Sequence, residues 1–393
     1  MRNVPRMIKV RSFTHVLDRG WSVDPLPAMD GDHTLLLLFG GAAYRQHPEV
    51  LESLSRAFPQ AVKIGCSSAG EIDGDTIHDD SLVVTVLQFS ETTLRLATTP
   101  IDATHSQAAG EALAAQLLDS QDGALRAVFL LSDGLQVNGT ALVAGLSEQL
   151  GKDVMVTGGL AGDGDRFAQS WIWCGDSVES GRAVAVGLYG DALICAHGSY
   201  GGWRAFGPER RITRAQGNVL YTLDDQPALD LYQRYLGEYA ADLPASGLLF
   251  PLAIRSEQGD EQVVRTILAI DEEARSITFA GTMPEGDYAQ LMSASFDQLI
   301  DGANRAAQQL LTTMRASTQA GVLIAISCVG RRLLLGERAE EELEAVLEAM
   351  QETTRKTQPL VGFYSYGEIS PDIREVGCSL KNQTMTLTWL SER

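Results

Sequence analysis

The chain has 393 residues, with 31 basic and 51 acidic side chains and a formal net charge of −20. This acidity disfavours binding to nucleic-acid backbones and to anionic membrane surfaces. Hydrophobic residues make up 45% of the sequence, a fraction too high for a disordered chain. The length predicts roughly two or three domains.

Targeting signals and paired cysteines are missing from the sequence. No apolar run approaches the ~20 residues that span a bilayer, and the basic N-terminus lacks the apolar core of a signal peptide. The five cysteines are scattered and form no C-x-x-C pair, so neither a zinc site nor a disulfide framework is indicated. We therefore expect a cytoplasmic protein.

A first structural unit is readable near the N-terminus. The apolar run Leu35–Phe39 predicts a strand, and apolar residues from Val50 to Phe58 follow helical spacing. The turn GCSSAGEI occupies residues 65–72, and Leu82–Leu87 predicts a further strand. The unit is therefore strand, loop, helix, strand, glycine-rich turn and strand.

A looser copy of the same unit follows. Ala127–Leu131 is an apolar run, and Leu142, Leu146 and Leu150 share one helical face. The glycine-rich turn GGLAGDG is at 158–164. It has neither the Lys-Ser/Thr of a phosphate loop nor the spacing of a dinucleotide site.

A third copy closes the chain. Val322–Ile326 predicts a strand, and apolar residues from Leu343 to Met350 share one face of a helix. Residues 362–369, GFYSYGEI, match the first turn as G-x-x-S-x-G-E-I, and Thr384–Leu390 predicts the closing strand. A match at this separation indicates an internal repeat.

The alternation of strands and helices predicts an α/β (α+β) fold of mixed β-sheets with covering helices, built from these repeated units. We expect two docked domains, over residues 31–240 and 241–393, and an N-terminal extension over 1–30. Residues 203–245 read as a helix- and turn-rich connection between strand-rich halves.

The segment 336–350, GERAEEELEAVLEAM, is strongly acidic with one apolar stripe. It predicts a solvated surface helix, with a partner-docking helix as the alternative.

The glycine-rich turns are the candidate ligand site. Glycines after a strand expose backbone N–H groups, the serines add hydroxyl donors, and the glutamates offer charge to a ligand amine. The alternative is that these side chains only cap helices and form hydrogen bonds with the backbone N–H and C=O groups of the turns. The candidate ligand-binding residues are Gly65, Cys66, Ser67, Ser68, Gly70, Glu71, Gly158, Gly159, Ser365, Gly367, Glu368 and Asn382.

Enzymatic activity has little support. Neither serine-containing turn has the G-x-S-x-G spacing of a nucleophile elbow. A thiol- or serine-dependent enzyme that uses Cys66 or Ser67 is the alternative, although Cys66 also fits a buried structural cysteine. We expect a protein that is not an enzyme and has no catalytic residues.

His197 is the candidate ligand for a haem iron. None of the six histidines has the spacing of a multi-histidine metal site, but an axial haem ligand needs one imidazole in an apolar pocket. His197 follows an apolar run and precedes glycines and the aromatic residues Tyr200, Trp203 and Phe206. The alternative is a histidine that is hydrogen-bonded at a strand end.

Together these motifs resemble the FIST family, which joins an N-terminal and a C-terminal FIST domain. The resemblance covers residues 30–390. In the first half it rests on LLLLFGGAAY (35–44), GCSSAGEI (65–72), DDSLVV (79–84), LSDGLQVNG (131–139), VTGGLAGDGDRF (156–167) and ITRAQGNVLYTLD (212–224). In the second half it rests on FAGTMPEGD (279–287), GVLIAISCVGRR (321–332), GFYSYGEI (362–369) and NQTMTLTWL (382–390).

The resemblance implies a small-ligand sensor of bacterial signal transduction, with amino acids among the ligands. It also implies a separate output partner such as a histidine kinase. One stand-alone subgroup comprises haem proteins that sense nitric oxide and act through partner kinases on cyclic-di-GMP. The segment HGSYGGWRAFGPER (197–210) is similar to that subgroup. Residues 1–33 depart from the family pattern, because they lack an amphipathic helix.

Overall fold

The structure is a computed structural model that describes residues 8–120, 122–257, 259, 262–314, 320–355, 358–372 and 377–393. Seven α-helices lie within these ranges. They are α1 (Pro48–Ala57), α2 (Ser106–Leu118), α3 (Gly139–Leu150), α4 (Ala228–Leu236), α5 (Phe296–Thr313), α6 (Val329–Leu335) and α7 (Glu340–Thr354).

Twenty-eight strands are described. Those of the first half are β1 (Lys9–Val16), β2 (Gly20–Trp21), β3 (Thr34–Gly40), β4 (Val62–Ser67), β5 (Glu71–Asp73), β6 (Thr76–His78), β7 (Ser81–Gln88), β8 (Thr93–Pro100), β9 (Leu125–Ser132), β10 (Met155–Leu160), β11 (Ile172–Cys174), β12 (Ser177–Glu179), β13 (Arg182–Tyr189) and β14 (Leu193–Tyr200). The remainder are β15 (Arg204–Ala205), β16 (Arg210–Gln216), β17 (Val219–Leu223), β18 (Gln226–Pro227), β19 (Leu252–Arg255), β20 (Gln262–Arg265), β21 (Ile267–Asp271), β22 (Ser276–Phe279), β23 (Tyr288–Ser293), β24 (Gly321–Cys328), β25 (Leu360–Ser365), β26 (Gly367–Pro371), β27 (Cys378–Lys381) and β28 (Met385–Glu392).

Three sheets repeat one plan, and each is centred on one parallel strand pair. Sheet I has the order β12-β11-β4-β3-β7-β1-β2, sheet II has β27-β26-β10-β9-β13-β8, and sheet III has β14-β28-β24-β25-β5-β6. The parallel pairs are β3 with β4, β9 with β10 and β24 with β25. The predicted mixed α/β fold of repeated units is therefore confirmed.

After each glycine-rich turn, the chain forms a hairpin that belongs to a different sheet from the strand before the turn. The hairpin β5–β6, which follows β4 of sheet I, pairs with β25 of sheet III. The hairpin β11–β12 leaves sheet II for β4 of sheet I, and β26–β27 leaves sheet III for β10 of sheet II. The three units therefore exchange hairpins in a closed cycle, and the three turns come together.

The inner faces of the three sheets enclose one apolar core. In β3, Leu35, Leu37 and Phe39 point into this core, while Leu36 and Leu38 face α1 outside. A strand buried on both faces reads as a continuous apolar run, which is why β3 shows no polar alternation. Helices cover the outer faces of all three sheets, as the sequence predicts.

A fourth, nine-stranded sheet is formed by β15–β23. The prediction that residues 203–245 form a helix- and turn-rich connection is wrong in part, because β15 to β18 lie there and only α4 is an α-helix. These strands are short and half-exposed, so they lack the apolar runs that reveal the other strands.

The predicted division near residue 240 stays a prediction, as does the separate extension over 1–30. Strands from both sides of residue 240 share sheets II and III. Within the extension, β1 pairs with β7 along eight residues and belongs to sheet I. Residues 1–7 lie outside the described part.

The acidic segment near residue 340 forms α7, but it is not fully solvated. Glu342 is completely buried and forms an ion pair with Arg331, which is also completely buried. Of the helices that the structure describes, none is long and apolar enough to cross a membrane.

Candidate ligand-binding cleft

The three glycine-rich turns meet at one point. The fifth residue of each turn lies at this point: Ala69, Gly162 and Tyr366. These residues are close together, because a β-carbon added to Gly162 would lie 3.1 Å from the Tyr366 ring and 3.4 Å from the Ala69 β-carbon. The Tyr366 ring therefore fills the space that the two smaller residues leave. Its hydroxyl contacts the Asp163 carboxylate, and Phe167 stacks on the ring with centroids 4.8 Å apart.

A cleft of about 380 Å³ opens beside this meeting point. Its wall from the first half includes Gly41, the turn residues 68–71, Asp79 with Asp80, and the loop 164–166. Its wall from the second half is formed by α6 and Gly336. The cleft thus lies between the two halves of the sequence and is lined by the first turn.

Arg332 on α6 reaches across the cleft to the first turn. Its guanidinium donates to the Ala69 carbonyl oxygen and makes a bidentate contact with Asp79, with N–O distances of 2.8 and 2.6 Å. It also lies over the Tyr364 ring, 5.5 Å from the centroid. Gly70 has a φ of +136°, and a β-carbon there would collide with the guanidinium. The backbone therefore favours glycine at this position, and any larger residue would displace the guanidinium.

Glu71 lies beneath the turn and is almost completely buried. One carboxyl oxygen accepts a hydrogen bond from the Ser68 hydroxyl, and the other accepts from the Ser81 N–H at 3.1 Å and the Ser81 hydroxyl at 2.8 Å. Burial raises the pKa of Glu71 to about 8, against these hydrogen bonds, which lower it. The carboxyl group thus supports the turn from below.

The rim of the cleft carries both signs of charge. Asp79, Asp80 and Asp165 are acidic, and Arg166 and Arg332 are basic. The Arg166 side chain is exposed, and no carboxylate of the described chain lies within 4 Å of its guanidinium. Such a rim suits a small polar ligand that carries a carboxylate and an amine.

The turn at 365–368 repeats the hydrogen-bond pattern of the first turn but does not line the cleft. Glu368 accepts hydrogen bonds from the Ser365 hydroxyl at 2.7 Å and from the Thr384 N–H and hydroxyl at 3.0 and 2.9 Å. Burial raises its pKa to about 7. Leu160, Leu380 and Asn382 crowd Gly367, so this turn borders no part of the described cleft.

Gly65, Gly158 and Gly362 lie where two parallel strands pack closely within a sheet. Each is the residue of its strand that faces the parallel neighbour at Leu38, Leu130 or Ala325. A β-carbon on any of the three would collide with the carbonyl oxygen of that neighbour. These glycines therefore allow close strand approach and do not expose amides to a ligand.

The other predicted ligand-binding residues also lie away from the cleft. Gly159 packs against Ile326 and Phe363. Asn382 is buried, accepts from the Thr266 N–H and donates to the Tyr366 carbonyl oxygen, both at 3.4 Å. Of the predicted set, Ser68, Gly70 and Glu71 line the cleft.

Cys66 and Ser67 are both fully buried. The Cys66 side chain lies in the core between the sheets, and burial raises its pKa well above the usual range. The Ser67 hydroxyl accepts the Trp171 N–H at 3.0 Å. Neither residue faces the cleft, so the geometry does not favour their use as nucleophiles.

His197 lies on β14, the edge strand of sheet III, and is half-buried. Its backbone exchanges hydrogen bonds with the Thr313 hydroxyl at 3.2 and 2.9 Å. Burial lowers the pKa of its imidazole, partly offset by Asp372. His197 lines neither this cleft nor the second one, beside β1.

The described surroundings of His197 do not fit a haem group. The space beside the neighbouring Gly198 and Gly202 is occupied by α5, because a β-carbon on either glycine would collide with that helix. Tyr200 bonds to Arg305, Trp203 packs against other apolar side chains, and Phe206 is 43% exposed. The three aromatic residues therefore do not enclose a common space. Haem binding stays an expectation from the sequence, without geometric support here.

Sequence reasoning missed the charged groups of the cleft. Arg332, Asp79 and Arg166 each stand inside a recognised motif, GVLIAISCVGRR, DDSLVV and VTGGLAGDGDRF respectively. Nothing in the local pattern indicates that these motifs meet, because they are separated by long stretches of chain. An arginine pair directly after a buried strand was the available signal.

Fold and cleft together define an α/β protein with a polar cleft between two parts of the chain. The FIST N domain matches residues 34–226 and the FIST C domain matches residues 228–371. The chain belongs to the FIST family, whose domains are associated with sensory signal transduction.

Comparison with individual proteins adds little. No curated protein matches the sequence. A crystal structure of cyanuric acid hydrolase from A. caulinodans aligns over 98% of this chain and 99% of that chain, at 9% identity and a TM-score of 0.38. A likeness this distant carries no argument about activity.

Proposed function

We propose that this FIST protein is a sensor that binds a small polar ligand, of the amino-acid type, in the cleft between its two domains. The observation that carries the proposal is the position of Arg332. It belongs to the FIST C domain, yet it contacts Asp79 and the Ala69 carbonyl oxygen of the FIST N domain at the cleft.

The charges of the cleft support a zwitterionic ligand. A ligand carboxylate suits the guanidinium groups of Arg332 and Arg166, because arginine binds carboxylates in a bidentate manner. A ligand ammonium group suits the carboxylates of Asp79, Asp80 and Asp165 on the same rim. Ser68 and Gly70 line the same cleft, and their polar groups are bonded to one another, to Glu71 and to the Tyr364 N–H.

Signalling follows from competition for Arg332. The Arg332 guanidinium is engaged by Asp79. A bound carboxylate takes over part of that contact and changes how α6 is held against the first turn. A ligand shifts an equilibrium only by its difference in affinity between two states, and this contact supplies the difference.

The output is a separate signalling protein, such as a histidine kinase, which reads the arrangement of the two domains. The five cysteines are all unpaired thiols. This state is the usual one in a reducing cytoplasm, where we place the sensor.

Isothermal titration calorimetry with a panel of free amino acids tests the proposal. At least one amino acid should bind the wild-type protein, and Arg166→Gln should weaken that binding about tenfold or more, equivalent to about 1.4 kcal/mol. Arg56→Gln is the matched control, since Arg56 is exposed on α1 and is not among the residues that line the cleft. If no panel member binds, or if both variants bind like the wild type, the proposal is wrong.

A further inference from the structure

A second charged site lies at a different junction of the two domains. Arg265, at the end of β20, is 6% exposed. The residues around it are Asn138 and Thr140 of the FIST N domain and Thr282 of the FIST C domain. This site shares no residue with the cleft that contains Arg332.

Arg265 is a buried cation, and no carboxylate in the described ranges pairs with it. Its guanidinium donates to the Thr282 carbonyl oxygen at 3.2 Å, to the Val264 carbonyl oxygen at 3.0 Å and to the Thr140 hydroxyl at 3.3 Å. No Asp or Glu of the described chain lies within 4 Å, and burial lowers its pKa to about 10, so it is still protonated at neutral pH. Buried charges are normally paired, and none of the described residues supplies an anion to this arginine.

Hydrogen-bond donors at this junction exceed the acceptors. A guanidinium has more N–H groups than the three that these contacts use. The Thr140 hydroxyl already accepts from Arg265 and, at 3.2 Å, from the Thr282 N–H. Its own proton has no acceptor among the described residues. Unused donors around a buried cation are what an oxyanion satisfies.

The N-terminus of α3 also favours an anion at this junction. Asn138 caps this helix by accepting the Ala141 N–H at 3.2 Å, and the Gly139 N–H donates to the Ala280 carbonyl oxygen at 3.1 Å. The Thr140 N–H has no acceptor in the described structure. The positive end of the helix dipole therefore adds to the charge of Arg265.

The site borders the protein surface. Thr140 and Thr282 are both partly exposed, whereas Arg265 beside them is buried. Gly281 allows Thr140 and Arg265 to lie this close together, because a β-carbon there would collide with the Thr140 hydroxyl and lie 3.0 Å from the Arg265 Nε.

We infer that Arg265, Thr140 and the N-terminus of α3 bind a small oxyanion, such as inorganic phosphate or the phosphate of a larger ligand, at the junction of the FIST N and FIST C domains. The anion bridges a helix of the first domain and a strand of the second. Its binding therefore stabilises the joined arrangement of the domains independently of the amino-acid cleft.

Thermal unfolding in low-millimolar inorganic phosphate, compared with chloride at matched ionic strength, tests the inference. Phosphate should raise the melting temperature of the wild-type protein by about 2 °C or more, as a ligand of the folded state does. Arg265→Gln and Thr140→Val should each lose most of that increase. Thr140→Val preserves the side-chain shape, so it gives an answer even if Arg265→Gln does not fold.

Two further variants and a second anion complete the design. Arg204→Gln, at an exposed arginine of β15, should keep the full phosphate response. Arg166→Gln in the amino-acid cleft should also keep it, which separates the two sites. An acetate response that depends on Arg265 supports the same oxyanion site with a carboxylate as its ligand. No response in the wild type, equal responses in the wild type and both site variants, or loss of the response in Arg166→Gln would overturn the inference.

Discussion

Arg332 and Asp79 stand 253 positions apart in the sequence, and their side chains form a bidentate contact across the cleft between the two FIST domains. The arginine side chain is 21% exposed and the aspartate side chain is 66% exposed. A pair this accessible contributes little to stability, at most about 1 kcal/mol. Under the proposed function, this accessibility is what allows a ligand to compete with the pair.

Replacing Gly70 with alanine should disturb this contact. A β-carbon at Gly70 would overlap the Arg332 guanidinium, and the backbone φ of +136° is strained for alanine. We expect Gly70→Ala to destabilise the protein by about 1–3 kcal/mol and to weaken amino-acid binding about tenfold. Urea unfolding and calorimetry measure the two effects.

The control for that experiment is Gly74→Ala. Gly74 also has a positive φ, of +68°, but no atom lies within 4 Å of its would-be β-carbon. This variant should show the backbone cost, about 1 kcal/mol, without any change in ligand affinity. Equal affinity losses in both variants would contradict the role given to Arg332.

Stability should fall as the pH rises because of Glu71. Burial raises the pKa of Glu71 in the folded state to about 8, above its ordinary value of 4.5, so the folded protein binds this proton more tightly than the unfolded chain. The resulting stabilisation is complete below pH 4.5 and is lost as the pH rises toward about 8. Glu71→Gln, which is neutral at every pH, should flatten this decline in urea unfolding measured across the interval.

Glu368→Gln provides the comparison within the same chain. The pKa of Glu368 is raised to about 7, so its share of the decline should end at a lower pH. A Glu71→Gln profile identical to the wild-type profile would contradict a raised pKa of Glu71 in the folded protein.

Removing Arg331 should be far more costly than removing an exposed arginine. Arg331 and Glu342 are both fully buried, with an N–O distance of 2.7 Å, and Glu342 also accepts hydrogen bonds from Ser327 and Tyr364 at 2.9 and 2.8 Å. Arg331→Met leaves the carboxylate buried without its cation, which should lower the free energy of unfolding by about 3–5 kcal/mol.

Two variants calibrate that value. Arg338→Met removes an exposed partner of Glu341 and should cost no more than about 1 kcal/mol. The double variant Arg331→Met with Glu342→Leu should recover part of the loss, because no uncompensated charge stays behind. Similar losses for Arg331→Met and Arg338→Met in urea unfolding would contradict the burial argument.

Haem should not bind at His197. Because α5 fills the space at Gly198 and Gly202, we expect titration with haemin to give the same absorbance spectrum for the wild type and for His197→Ala. A Soret band that appears in the wild type, shifts with nitric oxide and is absent from His197→Ala would reverse this expectation.

The sequence predicts well what is encoded over short distances. The apolar run Leu35–Phe39, the helical spacing from Val50 and the G-x-x-S-x-G-E-I repeat each correspond to elements of the structure, β3, α1 and the two matching turns. Local propensity and periodicity determine such features, so they are visible without knowledge of the fold. The mixed α/β class follows from their alternation.

The composition of the site depends on long-range contacts and was only partly predictable. The repeat suggests two equivalent binding turns, but Leu160, Leu380 and Asn382 cover Gly367, whereas Gly70 faces an open cleft. The glycines at 65 and 158 look like ligand contacts in sequence, and the structure explains them by the close neighbouring strand. Glu342 reads as solvated because its buried partner, Arg331, belongs to another helix.

The cyclic exchange of hairpins has a consequence for how the chain can be divided. A fragment that ends near residue 227 would retain β10 without β26 beside it, and would retain the β5–β6 hairpin without β25. The complementary fragment would have the reverse gaps, so each piece alone presents unsatisfied strand edges. Two separately produced halves should therefore aggregate or stay unfolded apart, yet assemble into one particle when they are renatured together.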